Sequence, residues 1–292
     1  MLMLLAAMLA SACGGRKEST AASREFTDDY NRTVAVPANP QRVVSLSPAV
    51  TEIMYALGAD SLLVGRTDFC LYPPQASDVP SIGGISNLNI EQILGRDPDL
   101  VISGSMVSRK AADQMDRMGT PMVCVIEKPR FDALYVNISA IGSLVGCEHE
   151  ADSINRMLRT RVAALLESQA FAIDTPTVYY VVGFGPGGNF TAGGNTFIND
   201  IIRMAGGRNI AEGVEGWSYS LEALVDANPD YIIVRREDSA SFCSTKPYSR
   251  LGAVREGRVI GIGSGTLDLQ VPRNIDAVLY LRGRMHQRQN NE

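Results

Sequence analysis

The sequence predicts an α/β protein of two similar lobes, each with a central, mostly parallel sheet, joined by one rigid helix. Three observations carry this. One phrase occurs twice: Asn89-Ile90-Glu91-Gln92-Ile93-Leu94, followed by Asp97-Pro98-Asp99-Leu100-Val101-Ile102, returns as Ser220-Leu221-Glu222-Ala223-Leu224-Val225, followed by Asn228-Pro229-Asp230-Tyr231-Ile232-Ile233. The shift from Glu91 to Glu222 is constant and has the length of a domain, far above a solenoid repeat. Short strands that are apolar throughout alternate with helical stretches, the pattern of a parallel sheet covered on both faces. Between the halves, an amphipathic helical pattern stands where a flexible linker would carry Gly and Ser.

The composition suits this plan. A chain of 292 residues with 45% hydrophobic and 20% charged residues has material for two ordinary domains and two cores. A net charge of −5 with no basic stripe excludes nucleic acid as a partner.

Read from the start, Leu2 to Leu9 is an apolar run too short to span a bilayer, and it ends in Ala10-Ser11-Ala12-Cys13. It resembles a bacterial lipoprotein signal in which Cys13 becomes the lipidated first residue. Gly14 to Arg24 has no apolar periodicity and reads as a polar tether, so residues 1–24 are assigned to signal and tether. No other segment is apolar enough to cross a membrane. Val43-Val44-Ser45-Leu46 is a strand entering Ser47-Pro48, a helix start with Ser as N-cap and Pro in the first helical position. That helix runs from Ala49 to Leu57 and stops at Gly58. Strands follow at Leu62-Leu63-Val64, Leu100-Val101-Ile102 and Met122 to Ile126, with helical stretches between them.

Phe131, Leu134, Tyr135, Ile138, Ile141 and Leu144 keep helical spacing and close the first lobe, residues 25–147. Ala151, Ile154, Met157, Leu158, Val162, Leu165 and Leu166 keep it again on a polar background and form the connecting helix, 148–170. The second lobe, 171–292, opens with a strand from Thr177 to Val182. It continues through a helix from Asn195 to Ala205, strands at Tyr231 to Val234 and Val259 to Ile262, and a last helix from about Arg273. Both lobes are thus Rossmann-like, and the helical joint predicts a stiff hinge.

Catalysis has little to work with. His149 falls on the connecting helix and His286 near the C-terminus, so neither reaches a cleft between the lobes. The sequence lacks H-E-x-x-H, G-x-S-x-G and any Cys pair at zinc spacing. Cys70 and Cys243, placed near the cleft, have no histidine to activate them. Gly183-Phe184-Gly185-Pro186-Gly187-Gly188 fits G-x-G-x-x-G literally. Pro186 and the run up to Gly194 postpone any helix, so a dinucleotide's pyrophosphate would not meet a helix start. The segment reads instead as a mobile glycine-rich loop carrying Phe184 and Phe190. With Cys13 set aside, Cys70, Cys124, Cys147 and Cys243 remain, and at most one bridge, Cys124–Cys147, is expected.

Loops leaving the carboxyl ends of strands carry Phe69 and Tyr72, then Phe184 and Phe190, then the single tryptophan, Trp217. Ligands of open α/β sheets bind at those ends. Any one of these rings could tuck into the core; several together suit a broad, partly apolar ligand. Glu91 and Glu222 each sit in a first helical turn, where the helix dipole favours a carboxylate by a few tenths to about 1 kcal/mol. That explains either alone. Their equivalence in the two lobes suits a partner that is itself two-fold and meets each with a basic residue.

From Pro40 to about Arg273 the chain resembles the class III periplasmic substrate-binding proteins of ABC importers. The residues that carry the resemblance are Gln41 to Glu52, Tyr72-Pro73-Pro74-Gln75-Ala76, Asn89-Ile90-Glu91, Asp97 to Ile102 and Ala205-Gly206-Gly207-Arg208-Asn209-Ile210. Within the family, Phe69 before Tyr-Pro-Pro, the two phenylalanines six apart and Trp217 upstream of the second glutamate are similar to its vitamin B12-binding members. Those members carry a cleft tryptophan shortly before the first glutamate, where this chain has Ile85.

The resemblance implies a non-enzymatic, lipid-anchored, monomeric receptor without a cofactor, its ligand a corrinoid such as cobalamin. Ser47, Pro48, Phe69, Cys70, Tyr72, Ile85, Phe184, Phe190 and Trp217 would face that ligand. Glu91 and Glu222 would dock on an ABC permease dimer in the cytoplasmic membrane. The alternative cargo is a ferric siderophore or haem. Arg66, Arg109 and Arg235 near the loop mouths would then meet an anionic ligand, and Tyr72 could reach a haem iron.

Overall fold

The computed structural model describes residues 22–85, 88–169 and 175–286. Cys13 and most of the signal and tether lie outside the described residues. The first lobe opens with an antiparallel hairpin, β1 (Ser23–Thr27) and β2 (Thr33–Pro37). It continues through β3 (Val43–Ser45), α1 (Pro48–Ala56), β4 (Leu63–Arg66), α2 (Ile90–Leu94), β5 (Leu100–Ser103), α3 (Arg109–Arg117), β6 (Met122–Cys124) and α4 (Ala133–Val145). The connecting helix is α5 (Glu148–Gln169). The second lobe comprises β7 (Thr177–Tyr180), α6 (Phe197–Met204), β8 (Arg208–Asn209), α7 (Leu221–Ala227), β9 (Tyr231–Arg235), α8 (Ser239–Ser244), α9 (Gly252–Arg255), β10 (Val259–Ile262) and α10 (Asn274–His286).

The hairpin is absent from the sequence reading, which ended the tether at Arg24; Ser23 and Arg24 already belong to β1. Only one face of β2 is buried, through Val34 and Val36, and β1 buries no residue fully, so two short five-residue segments carry little apolar signal. Arg32 secures the turn by binding Asp28 and by reaching the carbonyl of Met122 on β6.

Each lobe holds a four-stranded, all-parallel sheet. The orders are β4-β3-β5-β6 and β8-β7-β9-β10, which match strand for strand. The repeated phrase does the same mechanical work in both. Asn89 Oδ1 accepts from the Gln92 N–H at 3.1 Å, and Ser220 Oγ accepts from the Ala223 N–H at 3.0 Å, so each polar residue caps its helix. Asp97 (φ 48°) and Asn228 (φ 37°) turn the chain out of those helices in the left-handed region that short polar side chains tolerate. Asp99 then accepts from the N–H groups of Gln41 and Arg42 ahead of β3. Asp230 accepts from the N–H and hydroxyl of Thr177, the first residue of β7.

Side chains alternate across the sheets, as strand geometry requires. Val101, Met122 and Cys124 pack with α2 and α3 on the outer face of the first lobe, while Leu100, Ile102 and Val123 point inward. Tyr179, Ile232 and Val234 face outward in the second lobe, while Val178, Tyr180 and Ile233 point inward. The inward side chains of both sheets join those of α1, α4, α5, α6 and α10 in one continuous cluster. The lobes therefore share an inner core, beyond the two separate cores expected.

The connecting helix is seated from both sides. A Cβ on Gly142 of α4 would fall 2.6 Å from the Cβ of Ala151, so only glycine permits α4 and α5 to approach this closely. At the other end, Arg161 pairs with Asp276 at 2.6 Å and Arg282 donates to the Leu165 carbonyl.

The expected Cys124–Cys147 bridge does not form; Cys70, Cys124, Cys147 and Cys243 are all free. Cys124 packs on the outer face of the first sheet, and Cys147 against the inner core. Burial pushes the Cys124 thiol up to about 11.

Candidate ligand-binding cleft

A cavity of about 440 Å³ lies between the lobes, at the carboxyl ends of the strands. Three ends of the first sheet build one wall. Ser47 and Pro48 follow β3, Gly104, Ser105 and Met106 follow β5, and Glu127, Lys128 and Pro129 follow β6; Ile85 flanks them. Thr196 and Phe197 at the start of α6, Trp217, and Asp268 and Leu269 after β10 form the opposite wall. Trp217 is 48% exposed and Met106 68%, so large apolar surfaces stand open on both sides of the gap.

Of the residues expected to face a ligand, Ser47, Pro48, Ile85 and Trp217 are brought together here. The others are placed differently. Cys70 is fully buried, 3.2 Å from the Thr67 hydroxyl, because its loop folds inward. Phe184 packs edge-on against Phe242 and Tyr248 in the outer core of the second lobe. Phe69 (60% exposed) and Phe190 (38%) are open to solvent without lining the cavity. Tyr72 lines a second cavity of about 850 Å³ at the junction of α1, α5 and α10, where the Arg273 guanidinium lies 4.4 Å from its ring centre. That wider cavity lies away from the strand ends and is crossed by the Glu52–Arg273 and Arg161–Asp276 ion pairs.

The glycine-rich segment is pinned, contrary to the mobile loop expected. Phe190 exchanges backbone hydrogen bonds with Gly183, Thr191 N–H donates to the Trp217 carbonyl at 2.7 Å, and Gly193 and Gly194 donate to Gly216 and Val214. A Cβ would fall 2.2 Å from the Val214 carbonyl oxygen at Gly193 and 1.9 Å from that of Glu212 at Gly194. Here glycine serves close backbone approach, and that approach sets the position of Trp217.

Of the three cations expected at the mouth, Arg66 and Arg235 are already engaged within the protein. Arg66 is 9% exposed and donates to the carbonyls of Thr67, Ala76, Ser77 and Val79. Arg235 binds Asp268, which also accepts from the Tyr180 hydroxyl. Lys128, which was not among those expected, lines the cavity with its ammonium 2.7 Å from Asp29. Arg109 is exposed at the start of α3 and does not line the cavity. Sequence alone located these cations near the loops and gave no sign of their partners. It also gave no sign of Met106, Phe197 and Leu269, because single aliphatic loop residues carry no local pattern and Phe197 reads as the apolar face of a helix.

Glu91 and Glu222 are exposed on α2 and α7, and neither takes part in an ion pair among the described residues. Two residues on, Ile93 and Leu224 are fully buried in the matching outer cores, so both carboxylates are held outward by equivalent anchors. His149 and His286 lie on α5 and α10, clear of the cleft. Among the described residues no group of three potential metal ligands comes together, and no helix is long and apolar enough to cross a membrane.

Residues 43–266 match the family described as Periplasmic binding protein. The chain belongs to that family. Its members are the solute-binding components of ABC importers, which carry a small ligand to a permease and catalyse nothing. The chain is 28% identical over 291 residues to an uncharacterized ABC transporter substrate-binding lipoprotein, YvrC, of Bacillus subtilis, covering 94% of this chain and 92% of that one. It is 29% identical over 273 residues to the cobalamin-binding protein of Halobacterium salinarum, covering 89% and 73%. Among solved structures, the apo form of the periplasmic haem-binding protein RhuT from Roseiflexus superposes with a TM-score of 0.74 at 25% identity, covering 85% and 98%. The periplasmic binding protein fold accounts for the paired sheets, the connecting helix and the cleft at the strand ends.

Proposed function

We propose that this protein captures cobalamin or a related corrinoid in the interlobe cleft and delivers it to an ABC permease dimer in the cytoplasmic membrane. The observation that carries this reading is the character of the walls. Trp217, Phe197, Met106, Ile85 and Leu269 offer apolar surface on both sides, while Lys128, the one cation among the lining residues, is paired with Asp29. A flat, conjugated ring without net negative charge gains most from such a gap. Phe69 and Phe190 would extend the walls for the part of the ligand that projects from the mouth. The cobalamin-binding relative from Halobacterium salinarum supports the same cargo.

A ferric siderophore or haem is the second reading, supported by the likeness to RhuT. The pairing of Arg235 with Asp268 and of Arg66 with backbone carbonyls counts against it, because neither guanidinium is left free to meet an anionic chelate. Tyr72, the residue expected to reach a haem iron, stacks on Arg273 outside the cleft.

Glu91 and Glu222 would meet basic residues on the two permease halves, one per lobe. Anchoring would come from lipidation at Cys13, in keeping with the lipoprotein named in Bacillus subtilis; the receptor works as a monomer and needs no cofactor. Calorimetric titration of the purified soluble part with cobalamin, cobinamide, haem and a ferric siderophore tests the cargo directly. Tightest binding of a corrinoid is expected, and preference for haem or the siderophore would overturn the assignment.

A further inference from the structure

The floor of the cleft holds a hydroxyl, on Ser47, and a carboxylate oxygen, Glu127 Oε1, that have no hydrogen-bond partner among the described residues. Ser47 is the N-cap residue of α1, yet its hydroxyl makes no cap bond, unlike Asn89, Ser108, Thr196 and Ser220 on their helices. The residue is only 4% exposed, lines the cavity, and its hydroxyl has no partner among the described residues. Behind it, Pro48 has no N–H, and the N–H groups of Ala49 and Val50 donate to no backbone acceptor outside their helix; the first helical bond is Thr51 N–H to the Ser47 carbonyl. Helix starts leave such donors for an incoming acceptor atom.

Beside this end stands Glu127, one of three charged lining residues. Lys128 and Asp268 are neutralised by Asp29 and Arg235, whereas Glu127 has no counter-ion among the described residues. The Ser105 N–H holds its Oε2 at 3.4 Å. Its Oε1 lies 3.4 Å, and Ser47 Oγ 2.9 Å, from the point where Gly104 would carry a Cβ. The missing side chain of Gly104 thus lets both polar atoms converge on one spot.

We propose that Ser47, the first turn of α1 and Glu127 form a subsite that reads a primary carboxamide. The carbonyl oxygen of such a group accepts from the Ser47 hydroxyl or the helix end, while its NH₂ donates to Glu127. A carboxylate satisfies the helix end and is repelled by Glu127; an ammonium satisfies Glu127 and is opposed by the helix dipole. Only a planar group with donor and acceptor on one frame satisfies both. The inference rests on the corrinoid reading, since a corrin ring carries primary carboxamides around its rim, and it makes Glu127 the residue that sets specificity.

Competition calorimetry of cobalamin against its side-chain monoacids, each with one carboxamide hydrolysed, tests this. One monoacid isomer is expected to bind the wild type at least tenfold more weakly than cobalamin, a difference of about 1.4 kcal/mol. Glu127→Lys should abolish or invert that preference. Ser47→Ala should weaken cobalamin binding several-fold without moving the unfolding midpoint, because its hydroxyl caps nothing. Equal binding of all monoacids to the wild type, or an undiminished preference in Glu127→Lys, overturns the subsite while leaving the cargo intact. Failure of cobalamin and every monoacid to bind overturns the corrinoid reading and the subsite with it.

Discussion

Arg273, at the entrance to α10, places its Nε 2.8 Å and 2.9 Å from the two carboxylate oxygens of Glu52 on α1. The pair ties the second lobe to the first beneath the cleft. Arg273 also donates to Thr266 Oγ1 and the Gly265 carbonyl and lies under the Tyr72 ring, so its guanidinium is held from several sides.

Burial outweighs the attraction of Arg273 and pushes the Glu52 carboxyl up from the ordinary range to about 7. Between about pH 4.5 and 7 the native protein therefore binds a proton that the unfolded chain has released. Stability from this group is full below the lower value and is lost as pH rises through the upper one. Urea unfolding across this window should show that decline in the wild type and a flat contribution in Glu52→Gln, which mimics the neutral form. An identical pH slope in both proteins would refute the assignment.

Gln270 should prove a second tie between the lobes. Its side chain is 1% exposed, donates to the carbonyls of Lys128 and Arg130 at 2.7 and 2.8 Å, and accepts from the Lys128 N–H at 3.1 Å. Gln270→Ala leaves these groups unpartnered and should cost about 1–3 kcal/mol. Amide exchange at residues 128–131 should speed up, and unchanged protection there would argue against the tie.

Gly194→Ala is expected to displace Trp217 without unfolding either sheet. The new Cβ would overlap the Glu212 carbonyl oxygen, so the segment from Glu212 to Trp217 must move. Because Trp217 is the single tryptophan, its emission reports the shift directly. Wild-type fluorescence should change on corrinoid binding, and the variant should show an altered starting spectrum with affinity reduced about tenfold. A spectrum and affinity matching the wild type would show that the close approach does not position the ring.

Charge reversal of Glu91 and Glu222 to Lys separates docking from capture. Both are exposed first-turn carboxylates, so folding should lose at most about 1 kcal/mol per site. Uptake by whole cells should fall sharply for the double variant while calorimetric ligand affinity stays constant. Undiminished uptake would remove the carboxylates from the permease contact.

The duplication, the strand–helix alternation and the helical joint are properties of local pattern, and they were legible. Asn89 and Ser220 announce their helices because a cap bonds three residues away, and Asp99 and Asp230 recur because each lobe must tie off its first strand. Ser47 shows where such a signal stops: the N-cap position and Pro48 were readable, while the unused hydroxyl was not.

By itself the sequence determined the two-lobed α/β plan and the matched carboxylates of Glu91 and Glu222, since periodicity, capping and repetition act within a few residues. Tertiary structure decided which loop side chains reach the cleft, turning Cys70 and Phe184 inward and bringing in Met106 and Leu269. It also decided the electrostatics, pairing Arg235 with Asp268 and Lys128 with Asp29 and leaving Glu127 unpaired. Side-chain direction at a strand end and the neutralisation of a charge both depend on groups far apart in the chain, which meet only when the sheets and α5 are packed.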